Sequence, residues 1–290
     1  MSHPHAEAFF DPRTSTYSYV VHGANSNACA IIDPVLDYNP SAAKTYTESA
    51  QKLLDYISTH QLHVEWILET HAHADHLSAA AWLQAQVGGK IGIGAAISQV
   101  QDRFKQLYHL DHTQPTDGKP FDVLFDDNDE FTIGDLQVNV LHVPGHTPAD
   151  IAYEVKNLGI FVGDTLFAPD VGSARCDFPG GNAQQLYQSA KRLLAYPDDT
   201  VLFLCHDYPP AEREPQATCT VGEQKQHNIH LRDDITEAEF IAMRQARDAT
   251  LGLPQLMLPA LQVNIQAGHL PQPEANNTRY LKIPLNLFDQ

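Results

Sequence analysis

The chain has 290 residues, of which 43% are hydrophobic, enough to bury a substantial core. Its 36 acidic residues outnumber the 18 basic residues and give a formal net charge of −18. Because nucleic-acid binding depends on neutralising phosphates with lysine and arginine, this balance argues against nucleic acid and against an anionic membrane as partners.

The N-terminal residues 1–19 lack the basic and apolar regions of a secretory signal, and no run approaches the roughly 20 apolar residues that cross a bilayer. The cysteines are widely spaced and form no CxxC pair, which is not typical of a disulfide framework. We therefore expect an unexported, cytoplasmic protein. Without a Gly/Ser-rich linker, residues 1–290 are predicted to form one domain, with residues 209–290 as a C-terminal extension packed on the core.

Regular elements are predicted along most of the chain. Alternating and apolar residues indicate a β-hairpin with strands at 17–22 and 28–33. Apolar residues at three- and four-residue intervals indicate an amphipathic helix over 43–57. By the same criteria, further helices are expected at 77–87, 97–108, 183–194 and 237–250, and further strands at 64–69, 90–94, 136–142, 159–162 and 200–205. Residues 258–265 are expected to be extended.

The sequence THAHADH at residues 70–76 directly follows a predicted strand. It places four possible metal ligands close together, namely His71, His73, Asp75 and His76. Imidazole and carboxylate are ligand types that zinc and iron accept. The alternative is a polar loop rich in histidine, since the chain has 16 His. Four donors at this spacing after a strand nevertheless predict a metal site.

Three more donors, His146, Asp164 and His206, each follow a predicted strand further along the chain. Side chains at strand ends sit on a rigid platform, which suits a catalytic site. All seven donors together could hold two zinc ions that share a hydroxide for hydrolysis. The subset of His71, His146 and Asp164 instead matches the two imidazoles and one carboxylate of non-haem Fe(II) oxygenases. Ligand identity alone leaves both alternatives open.

The order HxHxDH, His, Asp and His, over about residues 33–208, resembles the metallo-β-lactamase superfamily. This resemblance implies an α/β fold of the αββα type, in which a sandwich of two mixed β-sheets is flanked by helices. The segments GDTLF from Gly163, RCDF from Arg175 and HDY from His206 resemble more narrowly the persulfide dioxygenases, the sulfur-oxidising branch close to glyoxalase II. The loop GSARCDF departs from the usual GCGRTDF of that branch.

The narrower resemblance implies one Fe(II) per chain, bound by His71, His146 and Asp164. The other donors would orient these ligands and manage protons without binding iron; they are His73, Asp75, His76 and His206, with Asp75, His76 and His206 as the catalytic candidates.

Glutathione would be bound by Arg175 and Tyr208, since guanidinium suits a bidentate grip on a carboxylate. Arg213 is added as a candidate from its position and charge. Arg175 has a structural alternative as the ion-pair partner of Asp177. Cys176 beside it is expected to be inert.

The expected function is that of a glutathione-dependent persulfide dioxygenase, which converts glutathione persulfide, O2 and water into sulfite and glutathione. The resemblance also makes a homodimer a possibility. One alternative is a thioester hydrolase of the glyoxalase II type with two Zn²⁺ ions. Another is a non-enzymatic sensor of persulfide or metal, although such a sensor would not need the complete ligand set.

Overall fold

Two six-stranded β-sheets form the centre of the fold in the computed structural model, which describes residues 4–110 and 115–287. The strands in chain order are β1 (His5–Asp11), β2 (Thr16–His22), β3 (Ala28–Ile32), β4 (Val35–Asn39), β5 (Lys44–Tyr46), β6 (His63–Leu68), β7 (Leu77–Ser78), β8 (Lys90–Gly94), β9 (Val123–Phe125), β10 (Glu130–Ile133), β11 (Leu136–His142), β12 (Ile151–Val155), β13 (Gly159–Phe161), β14 (Val201–Phe203) and β15 (Thr218–Thr220). The helices are α1 (Glu48–Thr59), α2 (Ala80–Val87), α3 (Ile97–Leu107), α4 (Ala183–Leu193), α5 (Val221–His227), α6 (Glu237–Asp248) and α7 (Met257–Asn264).

Both large sheets are mixed. The first has the order β1-β2-β3-β6-β8-β9, antiparallel through β3 and parallel from β3 to β9. The second has the order β10-β11-β12-β13-β14-β15 and is antiparallel except between β13 and β14. A small third sheet has the order β5-β4-β7. The predicted N-terminal hairpin is confirmed as β2 and β3.

Three apolar clusters hold these layers together. The central cluster combines residues of both large sheets, such as Tyr19 and Phe161, whose rings meet edge to face at 5.1 Å. A second cluster joins the first sheet to α1, α2, α3 and α7. A third joins the second sheet to α4 and α6. Each sheet therefore has one face toward the other sheet and one toward helices, which confirms the predicted αββα sandwich.

Residues 209–290 contribute to both halves of this sandwich. Their strand β15 pairs with β14 and forms the edge of the second sheet. Their helix α6 packs in the cluster on the second sheet, whereas α7 packs on the first. The description of this segment as an extension of a single domain stays a prediction.

Two predicted helices begin later than expected. Residues 44–46 of the helix expected at 43–57 form β5, which pairs with β4. Leu77 and Ser78, expected to begin a helix, form β7 and pair with Leu36 and Val35. β5 forms a short hairpin with the neighbouring strand β4, whereas β7 pairs with the same strand from a distant part of the sequence; such strand pairing overrides local helix propensity.

The prediction that residues 258–265 are extended was wrong, because Met257–Asn264 is helical. Pro259 suggested an extended chain, but it is the third residue of α7. The first N–H groups of a helix have no partner within the helix, so proline is tolerated there. Helix α5 was missed although Thr220 and Glu223 form a capping box at its start, a signal that the sequence does contain.

Candidate metal centre

The predicted ligands come together where four strands of the two large sheets end. His71, His73, Asp75 and His76 lie in the irregular loop between β6 and β7. The other three follow β11, β13 and β14, with Asp164 in a short 3₁₀ turn; they are His146, Asp164 and His206. All of the ligand histidines are buried. The structure therefore brings these seven side chains together at the ends of the strands.

His71, His146 and Asp164 form a compact set of donors, whose ligand atoms all lie within 4.8 Å of one another. Asp164 Oδ2 lies 3.7 Å from His71 Nε2 and 3.5 Å from His146 Nε2. Two ligand atoms that are each about 2.1 Å from one ion are separated by about 3 to 3.5 Å, close to these values. His71 Nε2, which faces Asp164 Oδ2, is buried without a hydrogen-bond partner in the part of the chain described. Buried polar atoms rarely stay unpaired, so the set fits a metal ion.

Hydrogen bonds on the far ring atoms aim both imidazoles at this point. His146 Nδ1 donates to the carbonyl of Arg175 at 2.7 Å. His71 Nδ1 lies 3.0 Å from Thr70 Oγ1, which itself donates to Asp33. The Nε2 atoms are thus left to face the site, as metal ligands require. Burial lowers the pKa of His71 well below its usual value, which keeps this imidazole neutral.

His73 is turned toward two buried carboxylates. Its Nε2 lies 3.0 Å from Asp33 Oδ1 and 3.4 Å from Glu69 Oε2. Burial opposes charge on His73, but attraction by Asp33 outweighs it and raises the pKa of the imidazole well above its usual value. Burial likewise opposes charge on Asp33, but His73 lowers the pKa of that carboxyl. The sequence analysis missed both carboxylates because they lie outside the His-rich motif.

A second set of donors lies on the other side of Asp164. His206 Nε2 is 3.4 Å from Asp75 Oδ2 and 3.4 Å from Asp164 Oδ1, and His76 Nδ1 is 3.6 Å from Asp75 Oδ1. Burial lowers the pKa of His76 to about 4. Burial opposes charge on His206, but Asp75 raises its pKa well above the usual value. Both ring nitrogens of His76 and Nε2 of His206 have no hydrogen-bond partner among the described residues.

A cavity of about 620 Å³ opens onto this centre. Asp75, His146 and Asp164 line its inner end. Its walls are partly apolar, formed by Val171, Ile229, Leu251 and Pro254 among others. A pocket of this size with a few converging polar groups is typical of a small-molecule site.

The predicted glutathione-binding residues have different surroundings. Tyr208 lines the cavity, is 47% exposed and stacks on His206 with ring centroids 5.7 Å apart. Arg175 also lines the cavity, but its guanidinium bonds both oxygens of Asp177 at 2.5 Å and the Gly252 carbonyl at 2.7 Å.

The guanidinium of Arg213 donates hydrogen bonds to the carboxylate of Asp170 and to that of Asp207. Its guanidinium is therefore already paired on two sides. The glutathione contacts of Arg175, Tyr208 and Arg213 stay predictions.

The cavity contains a further cation that the sequence analysis missed. Arg247, on α6, is exposed and lines the cavity, and no described carboxylate forms an ion pair with it. Its neighbour Arg244 is buried and paired with Asp248. No local motif marks Arg247, since its position in the site depends on how α6 packs.

Comparisons with known proteins extend these observations. The model of the Metallo-beta-lactamase superfamily matches residues 11–206. A probable metallo-hydrolase of Burkholderia pseudomallei is 49% identical, over 97% of this chain and 98% of that protein. Glyoxylase B2 of Dictyostelium discoideum is also 49% identical, over 98% of both chains. The crystal structure of ETHE1 from Myxococcus xanthus has a TM-score of 0.73 and 28% identity, over 91% of this chain and 100% of that one.

More distant relatives have two different activities in their names. The human mitochondrial persulfide dioxygenase ETHE1 is 26% identical, over 89% of this chain and 87% of that protein. The hydroxyacylglutathione hydrolase of Methylococcus capsulatus is 30% identical, over 86% of this chain and 80% of that protein. Within residues 4–110 and 115–287, no helix is long and apolar enough to cross a membrane.

Proposed function

Because the chain belongs to the metallo-beta-lactamase superfamily, we propose that it is a metal-dependent enzyme that oxidises glutathione persulfide. The outer persulfide sulfur takes up both atoms of O2 and the oxygen of water and leaves as sulfite. The inner sulfur keeps the carbon chain and takes up a proton to become glutathione. One Fe(II) ion per chain, bound by His71, His146 and Asp164, is the cofactor of this proposal.

The convergence of these three side chains, two of which line the cavity, carries the proposal. Two imidazoles and one carboxylate would hold ferrous iron beside the cavity, and the ion would supply redox chemistry toward O2 and a soft sulfur ligand. The likeness to persulfide dioxygenase ETHE1 in sequence, and to an ETHE1 structure in fold, supports the same reaction class.

The remaining donors would manage orientation and protons. His206 Nε2 lies between Asp75 and Asp164, 3.4 Å from an oxygen of each. Asp75 also lines the cavity, so it can pass a proton between buried His206 and a group bound there. His73 remains hydrogen-bonded to Asp33 and would stabilise the loop without contacting the substrate.

The carboxylates of glutathione need a cation in a protein of net charge −18. We assign this role first to Arg247, because its guanidinium lines the cavity without a described carboxylate partner. Arg175 and Tyr208 would add contacts from the same cavity. Arg213 would act indirectly, since its ion pair with Asp207 supports the backbone next to Tyr208.

An oxygen electrode tests the proposal directly. Protein loaded anaerobically with Fe(II) should consume O2 on addition of glutathione persulfide and release sulfite, with about one iron per chain by metal analysis. The zinc-loaded protein serves as the control and should consume no O2. Full activity with zinc alone, or sulfite release without O2, would contradict the proposal. Binding of glutathione persulfide without any turnover would favour a sensor instead.

A thioester hydrolase with two zinc ions is the second candidate. The unpaired nitrogens of His76 and His206, next to Asp75 and Asp164, favour it because they offer a second ligand set. The relative named hydroxyacylglutathione hydrolase is consistent with this candidate. About two zinc ions per chain together with cleavage of a glutathione thioester would establish it over the oxygenase.

A further inference from the structure

The side chain of Asn264, at the end of α7, reaches the loop that carries four of the candidate ligands. Its Nδ2 donates to the carbonyls of His73 and His76, each at 2.7 Å. Its Oδ1 accepts from the backbone N–H of Ser78, also at 2.7 Å. A side-chain amide has two N–H donors, and both are used here. Asn264 is buried, so these bonds are shielded from water.

The loop depends on such outside partners because it is irregular. Buried backbone carbonyls need hydrogen bonds, and between β6 and β7 no helix or strand ladder supplies them. The two carbonyls held by Asn264 lie on either side of Asp75 in the sequence. Fixing their orientation also fixes the directions in which His73, Asp75 and His76 leave the backbone.

Helix α7 is firmly seated at this place. Ala260, Leu261 and Val263 are buried in the cluster that covers the first sheet. Just after the helix, Gly268 has φ +81 and approaches the loop so closely that a Cβ would lie 2.9 Å from the Ser78 carbonyl. Ser78 in turn donates its hydroxyl to Glu69, beside His73. The helix and the residues just after it therefore contact the ligand loop and β7 at two places, Asn264 and Gly268.

We propose that Asn264 is a positioning residue of the metal centre and that docking of α7 and binding of metal are coupled through it. The inference rests on the metal site of the proposed function but not on its reaction: for two zinc ions Asn264 orients residues of the second ligand set directly, and for iron it acts on His71 through the loop that carries all four donors. Coupling is reciprocal: Asn264 raises metal affinity, and bound metal holds α7 more firmly on the loop.

The test compares two amide deletions on the same helix. Asn264→Ala removes the three bonds to the ligand loop. Gln262→Ala is the matched control, because Gln262 is also buried but bonds the backbone of Lys282 and Leu258 instead. Competition with a chelator measures the affinity for Fe(II) and for Zn²⁺. Outer partners of metal ligands typically contribute 10- to 100-fold in affinity, so we expect a loss of about that size for Asn264→Ala and less than about threefold for Gln262→Ala.

Hydrogen exchange of the wild-type chain gives a second measure that does not depend on how a variant folds. Amides of Met257–Asn264 should exchange more slowly in metal-loaded than in metal-free protein. Unchanged exchange in α7, or an Asn264→Ala affinity within about threefold of wild type, would overturn the coupling. A wild-type chain that bound neither ion would refute the proposed metal site itself, which separates the two failures.

Discussion

The ion pair between Asp33 and His73 is the interaction whose loss we expect to cost the most stability. Asp33 is 2% exposed and His73 is completely buried. Besides His73, Asp33 accepts from the backbone N–H of Thr70 at 2.7 Å and from its hydroxyl at 3.0 Å. Asp33→Asn has nearly the same shape and keeps an acceptor for Thr70. It mainly removes the nearer of the two charges that face the imidazole and leaves His73 with only the carboxylate of Glu69, 3.4 Å away.

Removing one partner of a buried ion pair typically costs about 3 to 5 kcal/mol, because the other charge is left uncompensated. The whole free energy of unfolding of a domain is about 5 to 15 kcal/mol, so this single atom exchange should remove a large fraction of it. Asp37→Asn is the matched control. Asp37 is equally buried, but its charged partner Arg13 has a side chain that is 57% exposed and can turn into water. Asp37→Asn should therefore lose less free energy of unfolding than Asp33→Asn.

Urea denaturation of metal-free protein measures the difference, with a lower midpoint and an unchanged slope as the expected result. The lowered pKa of Asp33 contributes stability above its ordinary value of 3.8, which is lost as pH falls through the lowered value. The raised pKa of His73 contributes stability fully below its ordinary value of 6.5, which is lost as pH rises through the raised value. The loss in Asp33→Asn should therefore be largest between about pH 4 and 6.5.

A loss below about 1 kcal/mol, or one equal to that of Asp37→Asn, would refute this reasoning. So would a difference that grew as pH rose above the ordinary His value.

Further predictions concern the metal, the substrate and the thiol. His146→Ala should lose nearly all bound iron, whereas His206→Ala should keep about one iron per chain by metal analysis; equal loss would favour two coupled metals. Arg247→Ala should raise KM for glutathione persulfide about 10- to 100-fold with kcat little changed, and Arg247→Lys should restore part of the loss. Cys176 should resist alkylation at pH 8, as mass spectrometry would show, because burial raises the pKa of its thiol; labelling at the unfolded rate would contradict this.

Features set by neighbouring residues were predicted well. Strand β11 was placed at residues 136–142 as observed, and α6 within two residues of its end, because a regular pattern of apolar residues marks both. The ligand loop was found because four donors with fixed spacing follow a strand. The spacing of these four donors was sufficient to predict a metal site.

Features set by distant residues were not predicted. Asn264 lies 191 residues from His73, and only the packing of α7 brings the two together. The same holds for Arg247, which is a surface helix residue in the sequence and a cavity residue in the fold. Arg175 was singled out instead, and its ion pair with Asp177, which was given as the alternative, is present. The sequence identified the candidate metal ligands, but it did not show which charged side chains lack an ion-pair partner in the fold.

The two carboxylate oxygens of Asp164 have different neighbours, and this difference bears on the number of metal ions. Its Oδ2 faces His71 and His146, whereas its Oδ1 faces His206. His146 and Asp164 line the cavity, while His206 is completely buried. On the proposed function, a substrate in the cavity would therefore reach an ion on the Oδ2 side, with Asp75 from the ligand loop lining the same cavity. The chemistry of the substrate would then depend on the three-residue site, and the buried histidines would act on it through Asp164 and Asp75.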